Sequence, residues 1–216
     1  MQKKILLIVI ICTVFTAVDA QIKKGSLLLG GQLGVTSLST KSVNSGDQKN
    51  SYVNITVSAG KTIRENLLLG VSLLYSYNST GANLPYTQQQ NGYGAGVFVR
   101  KYKTLGKGFY LFGQGSVNGQ YNTGRYRNYY NVPNYDNDTK GYDLAASFYP
   151  GVSYAISHHF QIETGFSNLI YIDYNHSKMT AFSGSFPSPS TTSSFTAGSS
   201  LSNYSGFVVA FRFLLN

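Results

Sequence analysis

Tyr52-Val-Asn-Ile-Thr-Val-Ser-Ala-Gly60 alternates without a break. Along an extended chain Val53, Ile55, Val57 and Ala59 point one way, and Asn54, Thr56, Ser58 and Gly60 point the other. Upstream, in residues 26–38, Leu27, Leu29, Leu33 and Val35 oppose Gly30, Gln32, Gly34 and Thr36. Downstream, in residues 67–78, Leu67, Leu69, Val71, Leu73, Tyr75 and Tyr77 oppose Gly70, Ser72 and Ser76. Tyr93, Ala95, Val97 and Val99 then alternate with Gly94, Gly96, Phe98 and Arg100. Each run predicts a strand with one apolar face and one small or polar face.

The second half of the chain repeats the pattern. Phe109, Leu111 and Val117 oppose Gln114, Ser116, Asn118 and Gln120, and residues 142–156 set Leu144, Ala146, Phe148, Val152 and Tyr154 against Asp143, Ser147 and Ser153. Pro150 falls in that run without an amide proton to give, so a bulge is predicted there. Residues 160–174 begin with Phe160, Ile162, Thr164 and Phe166 against Gln161, Glu163 and Gly165, but 169–172 are apolar throughout, which leaves their facing open. Phe207, Val209, Phe211, Phe213 and Leu215 close the chain against Val208, Ala210, Arg212 and Leu214. About eight strands result, each meeting the roughly 9 to 11 residues that a membrane strand needs.

At the N-terminus Lys3 and Lys4 precede an apolar run over residues 5–14, and Val18-Asp19-Ala20 follows ahead of Gln21. That is the pattern of a secretory leader over residues 1–20, too short for a spanning helix. Cys12, the one cysteine, lies inside it. Without cysteines, residues 21–216 can hold no disulfide, thiolate metal site or cysteine nucleophile. With 18 Tyr, 13 Phe, 23 Gly and only 12% charged residues, the composition argues against disorder and suits a barrel in lipid. The net charge is +9, and its cations are spread along the chain rather than gathered in a block. Export argues against nucleic acid as the counter-charge, and lipopolysaccharide phosphates are the expected one.

Connections sort by length. Residues 61–66, 102–107 and 157–159 read as tight turns, whereas 39–51, 79–91, 122–140 and 175–203 read as long polar loops. Short periplasmic turns, long extracellular loops and an even strand count define bacterial outer-membrane barrels. A soluble sandwich has no reason to segregate its loops in this way. The expected fold is therefore a single eight-stranded antiparallel up-and-down transmembrane β-barrel, monomeric, with both termini periplasmic.

With Gly25-Ser-Leu-Leu-Leu-Gly-Gly31 as its opening and Gly206-Phe-Val-Val-Ala-Phe-Arg-Phe-Leu-Leu-Asn216 as its close, the chain resembles the small outer-membrane β-barrel proteins of the OmpA/OmpX type. The resemblance implies that segment 207–216, from Phe207, is the strand by which the barrel assembly machinery selects its clients. It departs from the usual pattern in placing Phe213 fourth from the end, ahead of Leu-Leu-Asn. It covers the barrel alone, so the peptidoglycan binding of longer relatives is not carried over.

Nothing in the chain assembles a familiar catalytic or cofactor motif, so neither an enzyme nor a cofactor is expected. His158 and His159 fall in a tight turn. His176 and Ser177 suggest a lipid acyl hydrolase only weakly, since neighbours on a strand face opposite ways. Asp136, Asp138 and Asp143 lack the spacing of a calcium loop. Two clusters remain. Strand parity turns Arg100, Glu163 and Arg212 inward at a similar height, as a charged plug. Around the third long connection, Arg125, Arg127, Tyr129 and Tyr130 are the residue types of recognition hot spots, facing a glycan or protein. The expected function is surface interaction, adhesion or envelope integrity through the loops, with a narrow porin for small solutes as the alternative.

Overall fold

The computed structural model describes residues 22–41, 47–82, 86–128, 136–183, 186–199 and 207–215, and the leader expected over 1–20 lies outside them. Ten strands follow one another: β1 (Leu27–Thr40), β2 (Gln48–Arg64), β3 (Leu67–Ala82), β4 (Tyr86–Gly106), β5 (Phe109–Asn128), β6 (Asp136–Ala155), β7 (Phe160–Phe166), β8 (Ile170–Ser183), β9 (Phe186–Ser199) and β10 (Phe207–Leu215). All pair antiparallel. Each of β1 to β6 pairs with the next, β6 pairs with β7, β7 with β10, and β10 with β1, so the ladders close into a ring.

The strand count is ten, not the eight expected, and the reason is local. β7 and β8 lie along the same side of β6, β7 against its lower end at Gly151 and beyond, β8 against its upper part from Asp136 to Phe148. Residues 167–169 jog between them, with Asn168 at φ 55°. β9 pairs with β8 as β10 pairs with β7, so the ten strands occupy eight positions around the ring. The bulge expected at Pro150 is displaced for the same reason. β6 runs through Pro150 opposite Gly113 without a register shift, and the irregularity falls in the neighbouring β7–β8 stave. On that side β6 changes partner between Phe148 and Gly151, where a missing amide proton costs no ladder bond.

The long loops also shrink. The connection expected over 39–51 is bounded by Thr40 and Gln48, that over 79–91 by Ala82 and Tyr86, and that over 122–140 by Asn128 and Asp136. Most of 175–203 is the β8–β9 hairpin. These extensions are rich in Ser, Thr, Asn, Gln and Tyr on both faces, so they lack the apolar alternation that reveals a strand. Their backbones still complete the ladders.

Alternation sorts the side chains as elementary packing requires. Leu33 is 69% exposed and Leu73 66%, both on the outer wall, whereas Leu28, Leu68 and Leu214 on the inner parity are buried. At the short-turn end, Lys107 and Gly108 both have positive φ, 53° and 79°, as a two-residue type I′ hairpin turn requires. Inside that end Ile22, Leu28, Leu68, Tyr110 and Leu214 form an apolar floor. Ile22 is held there by its carbonyl, which accepts the Asn66 amide at 3.3 Å.

Candidate functional site

Directly associated with this floor is a cluster built by three staves. β4 supplies Arg100, β7 supplies Glu163 and β10 supplies Arg212, all on the inward parity and all buried. The Arg100 Nη1 donates to Glu163 Oε1 at 2.6 Å, and the Arg212 Nε donates to Glu163 Oε2 at 3.0 Å. Each carboxylate oxygen thus holds one guanidinium. Glu163 is opposite Ala210 in register, so Arg212 reaches it on the diagonal. Arg100 reaches it across the interior.

Further donors of both arginines are engaged locally. Arg100 Nε donates to Gln114 Oε1 at 2.8 Å, its Nη1 reaches the Tyr102 hydroxyl at 2.9 Å, and its Cζ lies 4.4 Å from the centre of the Phe112 ring. Arg212 Nη1 donates to Ser58 Oγ at 3.2 Å and its side chain lies over Gly30, where a Cβ would collide with it. A larger residue there would push the Arg212 guanidinium away from Glu163 and Ser58. Buried charges survive only when paired and hydrogen-bonded, and this set meets that condition with two cations to one anion. Sequence parity pointed to the three charged residues and put Ser58 on the polar face, but it did not show that Ser58 or Tyr102 would meet them. Gln114 is the register partner of Arg100, a relation that only the ladder reveals.

Above the cluster lies a polar cavity of about 320 Å³, with Arg212 and Tyr149 among its lining, together with Asn54, Gln114, Asn118 and Asp173. A second polar network crosses the interior higher up. Gln120 donates to Ser76 Oγ at 2.6 Å and to Asn122 Oδ1 at 3.1 Å, and both Asn122 and Asn175 donate to the Asp143 carboxylate. Beyond it a space of about 170 Å³ includes Gln88, Gln90 and Tyr126 in its lining. Of this crossbar the sequence named Asp143, Gln120 and Ser76, but not Asn122 or Asn175. Asn and Ser are too common in this chain to stand out individually.

Of the loop candidates, Tyr129 and Tyr130 lie outside the described residues. Arg125 and Arg127 stand on the upper extension of β5, facing acids on β6. Arg127 Nη1 is 2.8 Å from Asp136 Oδ2, and Arg125 Nε is 3.9 Å from Asp138 Oδ1. Those acids, considered for calcium, are therefore partners of the arginines, while Asp143 belongs to the crossbar. His176 bonds Ser193 Oγ through Nδ1 at 2.9 Å and packs on Tyr142, whereas Ser177 borders the upper inner space. The pair is split across the wall.

No family model matches the chain, and no curated protein sequence does. Solved structures do resemble it, among them the following two. The translocator domain of the autotransporter NalP from Neisseria meningitidis aligns at 13% identity and a TM-score of 0.49, over 81% of this chain and 59% of that one. This chain thus spans about three-fifths of the length of that domain. A major outer membrane protein from Thermus thermophilus aligns at 9% identity and a TM-score of 0.53, over 88% of this chain and 99% of that one. The likeness is one of fold: a ring-like, ten-stranded antiparallel sheet that resembles an outer-membrane β-barrel.

Proposed function

We propose that this chain is an outer-membrane β-barrel that acts at the cell surface through the polar end of its ring and does not conduct from end to end. The outer wall supports the membrane setting. Apolar side chains such as Leu33, Leu73, Val97, Val117, Leu144 and Val209 stand exposed around it, an area that a water-soluble monomer rarely leaves uncovered. Aromatic rows bound this band. Tyr75, Tyr93, Tyr121 and Tyr142 are successive register partners on the outer face, and His176 continues the row. At the other end Phe109 packs on Tyr154 and Phe160 on Phe211. On β5, Phe109 and Tyr121 are separated by about 40 Å of strand at roughly 3.3 Å per residue, hence by about 30 Å along an axis tilted by roughly 40°. Hydrocarbon cores are about that thick.

The observation that carries the sealed reading is the Arg100–Glu163–Arg212 cluster above its apolar floor, with Arg100 and Glu163 each only 1% exposed. A closed eight-position ring is narrow enough for its own side chains to fill it. Activity then resides at the opposite end, where β4, β5, β6 and the β8–β9 hairpin project beyond the aromatic row. There Arg125 and Arg127, with the tyrosines beside them, are the candidates for binding a glycan or protein. β10 is the candidate signal for the assembly machinery.

Single-channel recording in planar bilayers tests this reading. The wild-type protein is expected to show no steady conductance. A narrow pore is the competing reading, favoured by the polar cavity of about 320 Å³. Steady wild-type conductance that rises in Glu163→Gln would decide for the pore.

A further inference from the structure

The basic excess of this chain is not spread evenly over the folded molecule. Lys61 on β2 and Lys101 and Lys103 on β4 are exposed on the outer wall near the short turns. They share the parity of Ala59, Val97 and Val99, so they rise from the apolar band itself. Register sets Lys61 between Leu27 and Leu69, Lys101 beside Leu67, and Lys103 beside Leu111. Four further exposed cations lie nearby: Lys23 and Lys24 just before β1, Arg64 at the end of β2 and Lys107 in the β4–β5 turn. Glu65 is the one side-chain carboxylate among the described residues of this rim. Ion pairs among the described residues engage Glu163, Asp136 and Asp138, and none involves these seven cations.

The rest of the same rim is different. From β5 round to β10 its outer face carries Phe109, Tyr154, Phe160, Phe211 and Phe213, packed in pairs at 4.5 to 5.8 Å, with no Lys or Arg among them. One sector of the rim is therefore basic and the other aromatic.

We propose that the basic sector, centred on Lys61, Lys101 and Lys103, is a binding site for anionic phospholipid headgroups of the periplasmic leaflet. The site rests on the outer-membrane reading above. A lysine on a lipid-facing wall lays its alkyl stem along neighbouring Leu and Val side chains and lifts its ammonium to the headgroup level. Three such ammoniums at the lower edge of the apolar band meet phosphates, not the surface of a soluble protein, because their stems are in contact with acyl chains. Lipid A phosphates share the chemistry but lie in the opposite leaflet. At that end Asp47, Asp136 and Asp138 offset part of the positive charge, whereas the short-turn rim has Glu65 alone among the described residues.

The test uses the full chain, folded in detergent and titrated with phosphatidylglycerol or with phosphatidylcholine of the same acyl chains. Retained lipids are counted by native mass spectrometry. Phosphatidylglycerol is expected to be retained preferentially. Each of Lys61→Gln, Lys101→Gln and Lys103→Gln should lower its affinity about fivefold, the equivalent of the roughly 1 kcal/mol that a basic residue contributes near an anionic surface. Lys140→Gln and Lys178→Gln, at the other end, should leave it unchanged. These five lysines are exposed and bear no part of the charge cluster, so folding is preserved. A folded chain that retains both lipids equally overturns the site and leaves the barrel standing. A preference for lipid A through the same lysines overturns it too, by placing this rim in the outer leaflet. A chain that stays in solution without detergent and takes up neither lipid overturns both readings.

Discussion

Glu163 is held between two guanidiniums with no other carboxylate in contact among the described residues, so the three charges sum to one excess positive charge. This imbalance makes the members unequal. Removing Arg212 leaves the neutral Arg100–Glu163 pair intact, with its Gln114 and Tyr102 bonds. Removing Glu163 leaves two buried cations facing one another. Breaking a buried pair costs about 3 to 5 kcal/mol, and Glu163→Gln should lie at or above the upper end of that range. Arg212→Gln should cost clearly less. Urea unfolding of the detergent-folded protein, followed by the heat-dependent shift in gel mobility, measures both. Equal losses for the two variants would show that excess charge does not govern the site. Parity read from the sequence placed Arg100, Glu163 and Arg212 on the inner face because period two is rigid over a strand. It also turned Ser58 and Gln114 to the polar face, but their meeting with the arginines comes from cross-strand register, which parity does not give.

At the scale of the elements, the sequence was legible wherever the two faces of a strand meet different surroundings. β2 shows this over residues 52–60, with lipid-type residues outward and small or polar ones inward. It was illegible where both faces meet water. The β8–β9 hairpin is the clearest case: Pro187, Pro189 and the Ser/Thr run between Pro189 and Phe195 read as a loop. Yet β9 pairs with β8 along its length, and its other edge has no ladder partner among the described residues. Proline is tolerated on such an edge. The jog at 167–169 was hidden in the apolar run 169–172, where no alternation survives to mark a change of facing. The outer wall offers the sharpest test at this scale. Val97 lies between the aromatic rows and Leu105 beside the β4–β5 turn, and both are exposed. In a bilayer Val97→Arg should destabilise by about 2 to 4 kcal/mol and Leu105→Arg by about 0 to 1. The same unfolding measurement in lipid vesicles reads the difference. If both substitutions are neutral and raise solubility in water, the apolar wall does not face lipid.

For the whole molecule, the closed ladder circuit has a direction. One end carries short turns, the apolar floor and the basic sector; the other carries long polar strand extensions, the crossbar and the Arg–Asp pairs. Barrels of the bacterial outer membrane put the short turns in the periplasm, so Lys107 should face inward to the cell and the β8–β9 hairpin outward. The chain is suited to a direct test, because Cys12 is its only cysteine and falls in the expected leader. Ser190 and Lys107 are both exposed, one on the hairpin and one in a turn. A membrane-impermeant maleimide should label Ser190→Cys on intact cells and Lys107→Cys only after the outer membrane is permeabilised. The reverse pattern would invert the topology, and with it the leaflet assigned to the lysine site. Labelling of both on intact cells would remove the membrane barrier from between the two ends, and the long polar extensions would then need a different explanation from exposure at the cell surface.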